Sequence, residues 1–128
     1  MPPDPMLRRL AQVAVNVHDI ERATAWYRDQ LGLRHLFSAG PLAFFDIGGT
    51  RLMLARPETP ELDHPASILY YDVADIATAH ATLAARGVKF KGVPHVVARL
   101  AASDLWMAEF RDSEGNVLAL QSEVARTT

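Results

Sequence analysis

VAVNVHDI at residues 13–20 and LYYDVADI at residues 69–76 are two copies of one sequence pattern. Apolar side chains alternate along the first part of each copy, which predicts a half-buried strand. Each strand runs into an Asp-Ile pair. Asp19 and Asp75 are predicted to cap the N-termini of helices, because a carboxylate accepts hydrogen bonds from free backbone N–H groups. Each copy therefore opens with a strand followed by a helix.

Short strands follow each helix in a meander. The helices are predicted to end near Gly32 and Gly87, where glycine permits the backbone to turn. Three strands are then predicted in each copy, separated by breaks rich in Gly, Ser and Asp: residues 33–39, 41–47 and 50–56, and residues 93–101, 104–111 and 116–122. The order βαβββ–βαβββ predicts an α+β fold in which helices cover one face of a curled mixed sheet.

One domain accounts for the 128 residues, a length that suffices to bury a single core. The first module is predicted to span about residues 10–56 and the second about residues 66–122. Residues 57–65 are acidic and rich in proline, which indicates a linker between the modules. Residues 1–5 carry three prolines and an acid, which predicts a short flexible tail and does not resemble a signal peptide.

The composition is that of a globular protein and excludes several classes of function. Apolar residues make up 49% of the chain and the formal net charge is −2, with the basic residues scattered. Neither nucleic acid nor an anionic membrane is therefore an expected partner. The chain has no cysteine, which excludes disulfides and thiolate ligands. The lack of cysteine is compatible with the cytoplasm, where the protein is expected. No apolar run approaches the roughly 20 residues of a membrane-spanning helix.

Three segments carry a resemblance to a known family: VAVNVHDIERA (13–23), WYRDQLGL (26–33) and FRDSEGNVL (110–118). Together they resemble the glyoxalase/bleomycin resistance protein/dioxygenase family, also called the vicinal oxygen chelate (VOC) superfamily, over about residues 10–122. The resemblance implies that the two modules curl into a cup around a small-molecule site. It also implies a homodimer, because members of the family commonly pair their modules across two chains.

Many members of that family hold a divalent metal with four residues, one from each of four strands of the cup. The resemblance transfers these positions to Gln12, Met53, Ile68 and Ala119. Zinc prefers Cys, His or carboxylate ligands, and nickel or manganese prefer nitrogen or oxygen, so only the amide of Gln12 suits such an ion. We therefore predict no metal at these positions and no cofactor.

Strand alternation divides the other side chains between two sheet faces. The apolar face is predicted to pack beneath the helices and comprises Val13, Val15, Val17, Phe45, Leu52, Leu54, Tyr71, Phe110, Leu118 and Leu120. The cup face, on the opposite side of the sheet, mixes apolar and polar side chains, as small-molecule sites do. The residues predicted to bind a ligand there are Gln12, Asn16, Phe44, Met53, Ile68, Met107 and Ala119.

Glu109 and Tyr70 are the candidate catalytic residues of the cup. Glu109 lies in an otherwise apolar stretch of strand, and a carboxylate in apolar surroundings has a raised pKa that suits general acid or base catalysis. The alternative is a rim carboxylate, solvated or paired with Arg51 or Arg111. Tyr70 is predicted to donate a hydrogen bond to a ligand oxygen, and the alternative is a packed core tyrosine.

Two hypotheses for the function remain open at this point. The first is a metal-independent enzyme of the lyase or isomerase type, in which Glu109 moves a proton on a carbonyl compound. The second is a binding protein that sequesters a drug or metabolite, as bleomycin-resistance relatives similarly do without a metal. In that case Phe44, Tyr70 and Glu109 would capture a cationic or planar compound. The fold does not distinguish the two hypotheses, because one fold hosts many functions.

Overall fold

The computed structural model describes residues 6–126, so the tail predicted at residues 1–5 lies outside the described residues. Within that range, eight strands form two four-stranded sheets. The first sheet has the order β1-β4-β3-β2, with β1 (Gln12–Asn16), β2 (Arg34–Ala39), β3 (Leu42–Ile47) and β4 (Thr50–Ala55). The second sheet has the equivalent order β5-β8-β7-β6, with β5 (Leu69–Asp72), β6 (His95–Arg99), β7 (Ser103–Arg111) and β8 (Val117–Ala125).

Both sheets are mixed and repeat the same connections. The first strand of each module runs parallel to the last, β1 beside β4 and β5 beside β8, and the remaining pairs are antiparallel. Every predicted strand is present, and its bounds agree with the prediction within three residues. The α+β fold of two βαβββ modules is therefore confirmed, although the expected single curled sheet is divided into two sheets.

Helices follow the first strand of each module, as the Asp-Ile pairs predict. Helix α1 (Ile20–Ala25) continues as a π-helix (Trp26–Gln30), and α2 spans Ile76–Ala85. Both predicted caps are confirmed, because Asp19 accepts a hydrogen bond from the backbone N–H of Arg22 at 3.0 Å and Asp75 accepts one from that of Thr78 at 3.1 Å. No helix within residues 6–126 combines the length and the apolar character needed to cross a membrane.

The two helices end against each other, and each end requires a glycine. Gly32 and Gly87 have φ values of 79° and 91°, in the left-handed region that side chains disfavour. Space is short as well, because a Cβ atom on Gly87 would lie 2.9 Å from Gln30 Nε2, and one on Gly32 would lie 2.8 Å from Arg86 Nη1. Gln30 Nε2 also donates a hydrogen bond to the carbonyl of Arg86 at 3.0 Å, so the helix ends join the modules.

A single core runs through both modules. Eight of the ten side chains predicted to pack beneath the helices are buried there, and Val13 and Tyr71 pack against them while partly buried. Trp26 of the first module lies 6.4 Å from Phe110 of the second, measured between ring centroids. The helix-covered faces therefore hold the modules together and leave the cup faces of both sheets on the outside.

Candidate functional site

The cup face of the first sheet carries four of the predicted ligand-binding residues. Cross-strand pairing puts Gln12 beside Arg51, and Met53 beside Phe44. Gln12 Oε1 accepts a hydrogen bond from Arg51 Nε at 3.1 Å, and Gln12 Nε2 lies 3.8 Å from Met53 Sδ. These side chains therefore form one surface. The fourth residue, Asn16, lies on the same face at the end of β1.

Phe44 is the centre of an aromatic stack on this surface. Its ring stacks on that of Phe37, with the centroids 4.5 Å apart and the planes inclined by 27°. The guanidinium carbon of Arg51 lies 5.3 Å from the centroid of the Phe44 ring. Phe44 is buried by these neighbours, whereas Phe37 is 46% exposed. Such a stack offers a planar compound both an aromatic face and a cation.

Asn16 does not point freely into the cup, because its side-chain amide holds the linker. Asn16 Nδ2 donates hydrogen bonds to the carbonyl oxygens of Leu62 at 2.5 Å and His64 at 2.9 Å. His18 Nε2 also lies 3.0 Å from Asp63 Oδ1. Sequence reasoning treated residues 57–65 only as a connection, whereas the structure folds them over the cup face of the first sheet.

A cavity of about 360 Å³ lies between the linker and the first sheet (the linker cavity). The sheet contributes Ala14, Asn16, Leu42, Met53 and Ala55, and the linker side contributes Arg56, Pro57, Glu58, Leu62, His64, Ala66 and Ser67. This volume lies at the lower end of the range for small-molecule sites. Two predicted ligand-binding residues, Asn16 and Met53, therefore share a cavity that the linker roofs.

We predict that Asn16→Asp frees the linker. The carboxylate would place oxygen atoms against the carbonyl oxygens of Leu62 and His64, so two hydrogen bonds become repulsive contacts. Protection of residues 60–66 against hydrogen–deuterium exchange should fall about tenfold. Gln12→Glu makes the same chemical change on the same strand beside Arg51 and serves as the control. Unchanged exchange in the Asn16→Asp protein would show that the amide does not hold the linker.

On the cup face of the second sheet, Tyr70, Ala119 and Glu109 form a row across three strands. Ala119 of β8 pairs with Tyr70 of β5 on one side and with Glu109 of β7 on the other. Because the middle side chain is a single methyl group, the phenol and the carboxylate flank Ala119 without a large side chain between them. Tyr70 is 50% exposed, so the alternative of a packed core tyrosine is wrong.

The remaining two predicted contacts lie beside this row. Met107 is in the next row, paired with Gln121 of β8. Ile68 precedes β5 and is 45% exposed, whereas Ala119 is buried. The structure therefore gathers Met107 and Ala119 near the candidate catalytic residues and leaves Ile68 at the edge of the sheet.

The surroundings expected for Glu109 need a correction. Its side chain is 41% exposed, and Glu109 Oε2 lies 4.0 Å from Lys91 Nζ. The apolar neighbours in sequence point to the other sheet face, because side chains alternate along a strand. Neither arginine proposed as a partner fills that role, since Arg51 Nε binds Gln12 and Arg111 Nη1 donates to the carbonyl of Gly115 at 2.8 Å. Glu109 is a half-exposed carboxylate beside a lysine.

Glu109 lines a cavity of about 550 Å³ at the junction of the two modules (the junction cavity). The first module contributes Trp26 and Gln30, and the second contributes Gly87, Lys89, Phe90, Lys91, Glu109, Phe110, Arg111, Asp112 and Ser113. Sequence reasoning missed both lysines. The available signal was that Lys89 and Lys91 are the only lysines in the chain and flank Phe90.

The residues at the four positions to which the resemblance assigns a metal do not fit one here. Gln12 Oε1 is already bound by Arg51, Met53 offers a thioether, and Ile68 and Ala119 offer no donor atom. These are poor ligands for zinc, nickel or manganese. Within residues 6–126, no group of three or more His, Cys, Asp or Glu side chains is arranged to hold a metal elsewhere.

The predicted site residues of the two modules do not share either of these cavities. In residues 6–126, strand pairing links no strand of the first sheet to the second. The linker cavity contains Asn16 and Met53 but neither Tyr70 nor Glu109, and the junction cavity contains Glu109 without any of the predicted first-module contacts. The nine predicted site residues therefore divide into a first-module group and a second-module group.

This arrangement defines a two-module α+β protein with cavities of small-molecule size, and residues 9–120 match the family model of the Glyoxalase/Bleomycin resistance protein/Dioxygenase superfamily. The chain belongs to this superfamily, which confirms the predicted resemblance. No functionally curated protein matches the chain by sequence.

Several solved structures are similar to the chain over nearly their whole length. A superfamily member from Sphaerobacter thermophilus DSM 20745 has a TM-score of 0.77 at 23% identity, covering 93% of this chain and 100% of the other. A lactoylglutathione lyase from Agrobacterium tumefaciens has a TM-score of 0.72 at 21% identity, covering 92% of this chain and 96% of the other. TnmS3, an antibiotic binding protein from Streptomyces sp. CB03234, has a TM-score of 0.73 at 23% identity, covering 94% of this chain and 99% of the other. At these identities the similarity shows the fold alone.

Proposed function

We propose that this chain is a metal-independent enzyme of the lyase or isomerase type that moves a proton on a small carbonyl compound. The row of Tyr70, Ala119 and Glu109 is the observation that carries the proposal. The unsuitable donors at the four metal positions support the metal-independent part. The lactoylglutathione lyase among the structural neighbours supports a lyase only at the level of fold.

The row assigns a role to each side chain. Neighbouring strands are roughly 4.8 Å apart, so the backbones of Tyr70 and Glu109 are about 10 Å apart across Ala119, and the proposed ligand binds above Ala119 in contact with both side chains. The Glu109 carboxylate takes a proton from the carbon next to the carbonyl group, and the electron pair of that bond forms an enolate. The Tyr70 hydroxyl donates a hydrogen bond to the enolate oxygen. In an isomerisation Glu109 returns the proton to a different carbon of a conjugated enolate; in a lyase reaction the enolate re-forms the carbonyl group and expels a leaving group from the β-carbon with its bonding electron pair, and Glu109 gives the proton to that group.

The active unit in this proposal is a homodimer. Tyr70, Ile68 and Phe37 are each about half exposed on or beside the cup faces, and exposed apolar groups of this kind are covered in protein–protein or ligand contacts. Pairing the first module of one chain with the second module of its partner would bring the two groups of site residues together. The cup then contains Phe44 and Met53 opposite Tyr70 and Glu109.

Proton exchange tests the proposal without knowledge of the final product. The protein is incubated in D₂O with a panel of small aldehydes, ketones and β-keto acids, and loss of the α-hydrogen is followed by NMR. At least one compound should exchange, and Glu109→Gln should slow that exchange by about 10²–10⁴-fold with the fold unchanged. Tyr70→Phe should have a smaller effect. Glu123→Gln alters an exposed glutamate on β8 and is the matched control.

Two outcomes would overturn the proposal. Equal exchange rates for the Glu109→Gln and wild-type proteins would remove the role of the carboxylate. About one equivalent of a transition metal per chain, in protein purified without chelator or metal-binding tag, would overturn the metal-independent part if its removal also stopped exchange. Less than about a tenth of an equivalent is expected.

A sequestering protein is the second candidate, favoured by the aromatic stack of Phe37, Phe44 and Arg51. The antibiotic binding protein TnmS3 among the structural neighbours is consistent with this use of the fold. The stack would bind the face of a planar compound. A protein of this kind binds one equivalent of such a compound and releases it unchanged. The wild-type and Glu109→Gln proteins would then both give only the background rate of proton exchange.

A further inference from the structure

The junction cavity carries an unusual share of the positive charge of this protein. The chain has eleven arginines and only two lysines, and both lysines line this one cavity together with Arg111. Two acidic residues line it as well, Glu109 and Asp112. Asp112 is buried, and its carboxylate accepts hydrogen bonds from Tyr27, Glu114 and Asn116, so it is fully engaged within the protein. Three cations therefore face two carboxylates in this cavity, and only Glu109 lies within ion-pairing distance of one of the cations.

Backbone geometry places these charges on one surface. Phe90 forms an antiparallel bridge with Phe110, and the N–H of Lys91 donates to the carbonyl of Glu109 at 2.8 Å. In such a pair the side chains next to Phe90 and Phe110 point to the opposite face from these two rings. Lys91 therefore lies beside Glu109, as the 4.0 Å contact shows, and Lys89 is placed beside Arg111.

Lys89 and Arg111, the second of these two pairs, carry like charges. Directly opposed like charges on adjacent strands destabilise a sheet. Arg111 uses Nη1 to bind the carbonyl of Gly115, and neither Lys89 nor Arg111 makes an ion pair with any side chain in residues 6–126. An anion between the two would remove the repulsion and would gain charge-assisted hydrogen bonds from both.

We infer that the junction cavity binds a small organic anion, with its carboxylate or phosphate group held between Lys89 and Arg111. Phe90 and Trp26 line the same cavity. Because the Phe90 ring points to the opposite face from the two cations, the inference concerns the charged group of the ligand alone. This inference rests on the proposed small-molecule function and adds the charge of the ligand. It also places the anionic group near Glu109. In a substrate, the carbon that loses the proton therefore lies close to the anionic group, on the side that faces Glu109.

The test compares two probes of nearly equal shape, 2-naphthoate and the neutral 2-naphthamide. Reductive methylation with ¹³C-formaldehyde keeps the charge of each lysine and gives one NMR signal for Lys89 and one for Lys91. Titration with 2-naphthoate should shift both signals, whereas 2-naphthamide should bind at least tenfold more weakly. Raising the NaCl concentration from about 50 to about 500 mM should weaken only the binding of the acid.

Substitutions locate the contact. Lys89→Met should weaken 2-naphthoate binding about tenfold and leave 2-naphthamide within about twofold. Arg34→Met removes the same charge from an exposed position on β2 and should leave both affinities unchanged. Glu109→Gln removes a negative charge from the cavity, so 2-naphthoate should bind at least as tightly while proton exchange is lost.

The outcomes separate this inference from the proposed function. Equal affinities for the acid and the amide, no effect of Lys89→Met, or no shift of either lysine signal would overturn the anion site. None of these results depends on turnover. Conversely, normal proton exchange by the Glu109→Gln protein would overturn the catalytic proposal. The preference of the cavity for 2-naphthoate over 2-naphthamide would remain.

Discussion

Asp112→Ala is expected to lower the free energy of unfolding by about 3–4 kcal/mol. The carboxylate is buried and accepts hydrogen bonds from Tyr27 Oη at 2.6 Å, from the backbone N–H groups of Glu114 and Asn116 at 2.8 Å each, and from Asn116 Nδ2 at 2.9 Å. Its removal breaks all four contacts and leaves the buried hydroxyl of Tyr27 without a partner. Urea unfolding followed by tryptophan fluorescence measures the change.

Tyr27→Phe separates the cross-module contact from the contacts inside the 112–116 turn. Burial and the neighbouring Asp112 carboxylate raise the pKa of Tyr27 far above its usual range, so the hydroxyl remains a donor at any pH of interest. Its removal should cost about 1.5–2 kcal/mol, since the acceptor is charged. Asp29→Ala is the control, at an exposed aspartate that within residues 6–126 pairs only with the adjacent Arg28, and it should leave the urea midpoint almost unchanged.

A loss of under 1 kcal/mol for Asp112→Ala would contradict this account of the turn. The double variant with Tyr27→Phe adds a second check, because the two residues are in direct contact. Their effects should fall short of additivity by about 1 kcal/mol or more. Additive effects would mean that the hydroxyl and the carboxylate stabilise the protein independently.

Strand alternation allowed much of the sheet to be predicted, because it is a local property of the chain. Phe44 and Glu109, both predicted to lie on the cup face, are an example. Phe44 pairs with Met53 and Glu109 pairs with Ala119, which are equivalent positions in the two modules. The alternation of side chains along a strand can be recognised without any knowledge of the tertiary structure, so the division between core and cup faces follows directly from the sequence.

Contacts between distant segments account for what the sequence did not reveal. Asn16 binds backbone carbonyls more than 40 residues away, and carbonyl groups carry no residue-specific signal. The pairing of Glu109 with Lys91 depends on an isolated bridge after α2 that lies outside the predicted strands. Register irregularities in β2 and β6, at Leu36 and Val97, were likewise invisible to a pattern of strict alternation.

The turn at residues 112–116 also holds a second acidic residue, Glu114, whose side chain is 2% exposed. Burial opposes its ionisation, but the guanidinium of Arg22 and the backbone N–H groups of Asp19 and His18 all donate to the carboxylate. The hydrogen bonds outweigh the burial and lower the pKa of Glu114 from 4.5 to about 2. Glu114 therefore ties the second module to the start of α1 in its ionised form.

Acid should weaken this connection in a defined pH range. Because the pKa of Glu114 is lower in the folded state, the stabilisation is complete above about pH 4.5 and is lost as the pH falls toward about 2. Glu114→Gln keeps an acceptor oxygen for the N–H groups but loses the ion pair with Arg22. Allowing for solvent screening around the exposed Arg22, it should cost about 2 kcal/mol at pH 7.

The difference in unfolding free energy between wild type and Glu114→Gln is the quantity to follow, by urea unfolding at several pH values from about 7 to about 2. It should stay constant down to about pH 4.5 and shrink toward zero near pH 2, because the protonated glutamic acid then resembles glutamine in charge. Glu21→Gln, at an exposed glutamate in the first turn of α1, should show little difference from wild type at neutral pH. A Glu114→Gln difference that persists unchanged at pH 2 would mean that shape, and not ionisation, joins the turn to α1.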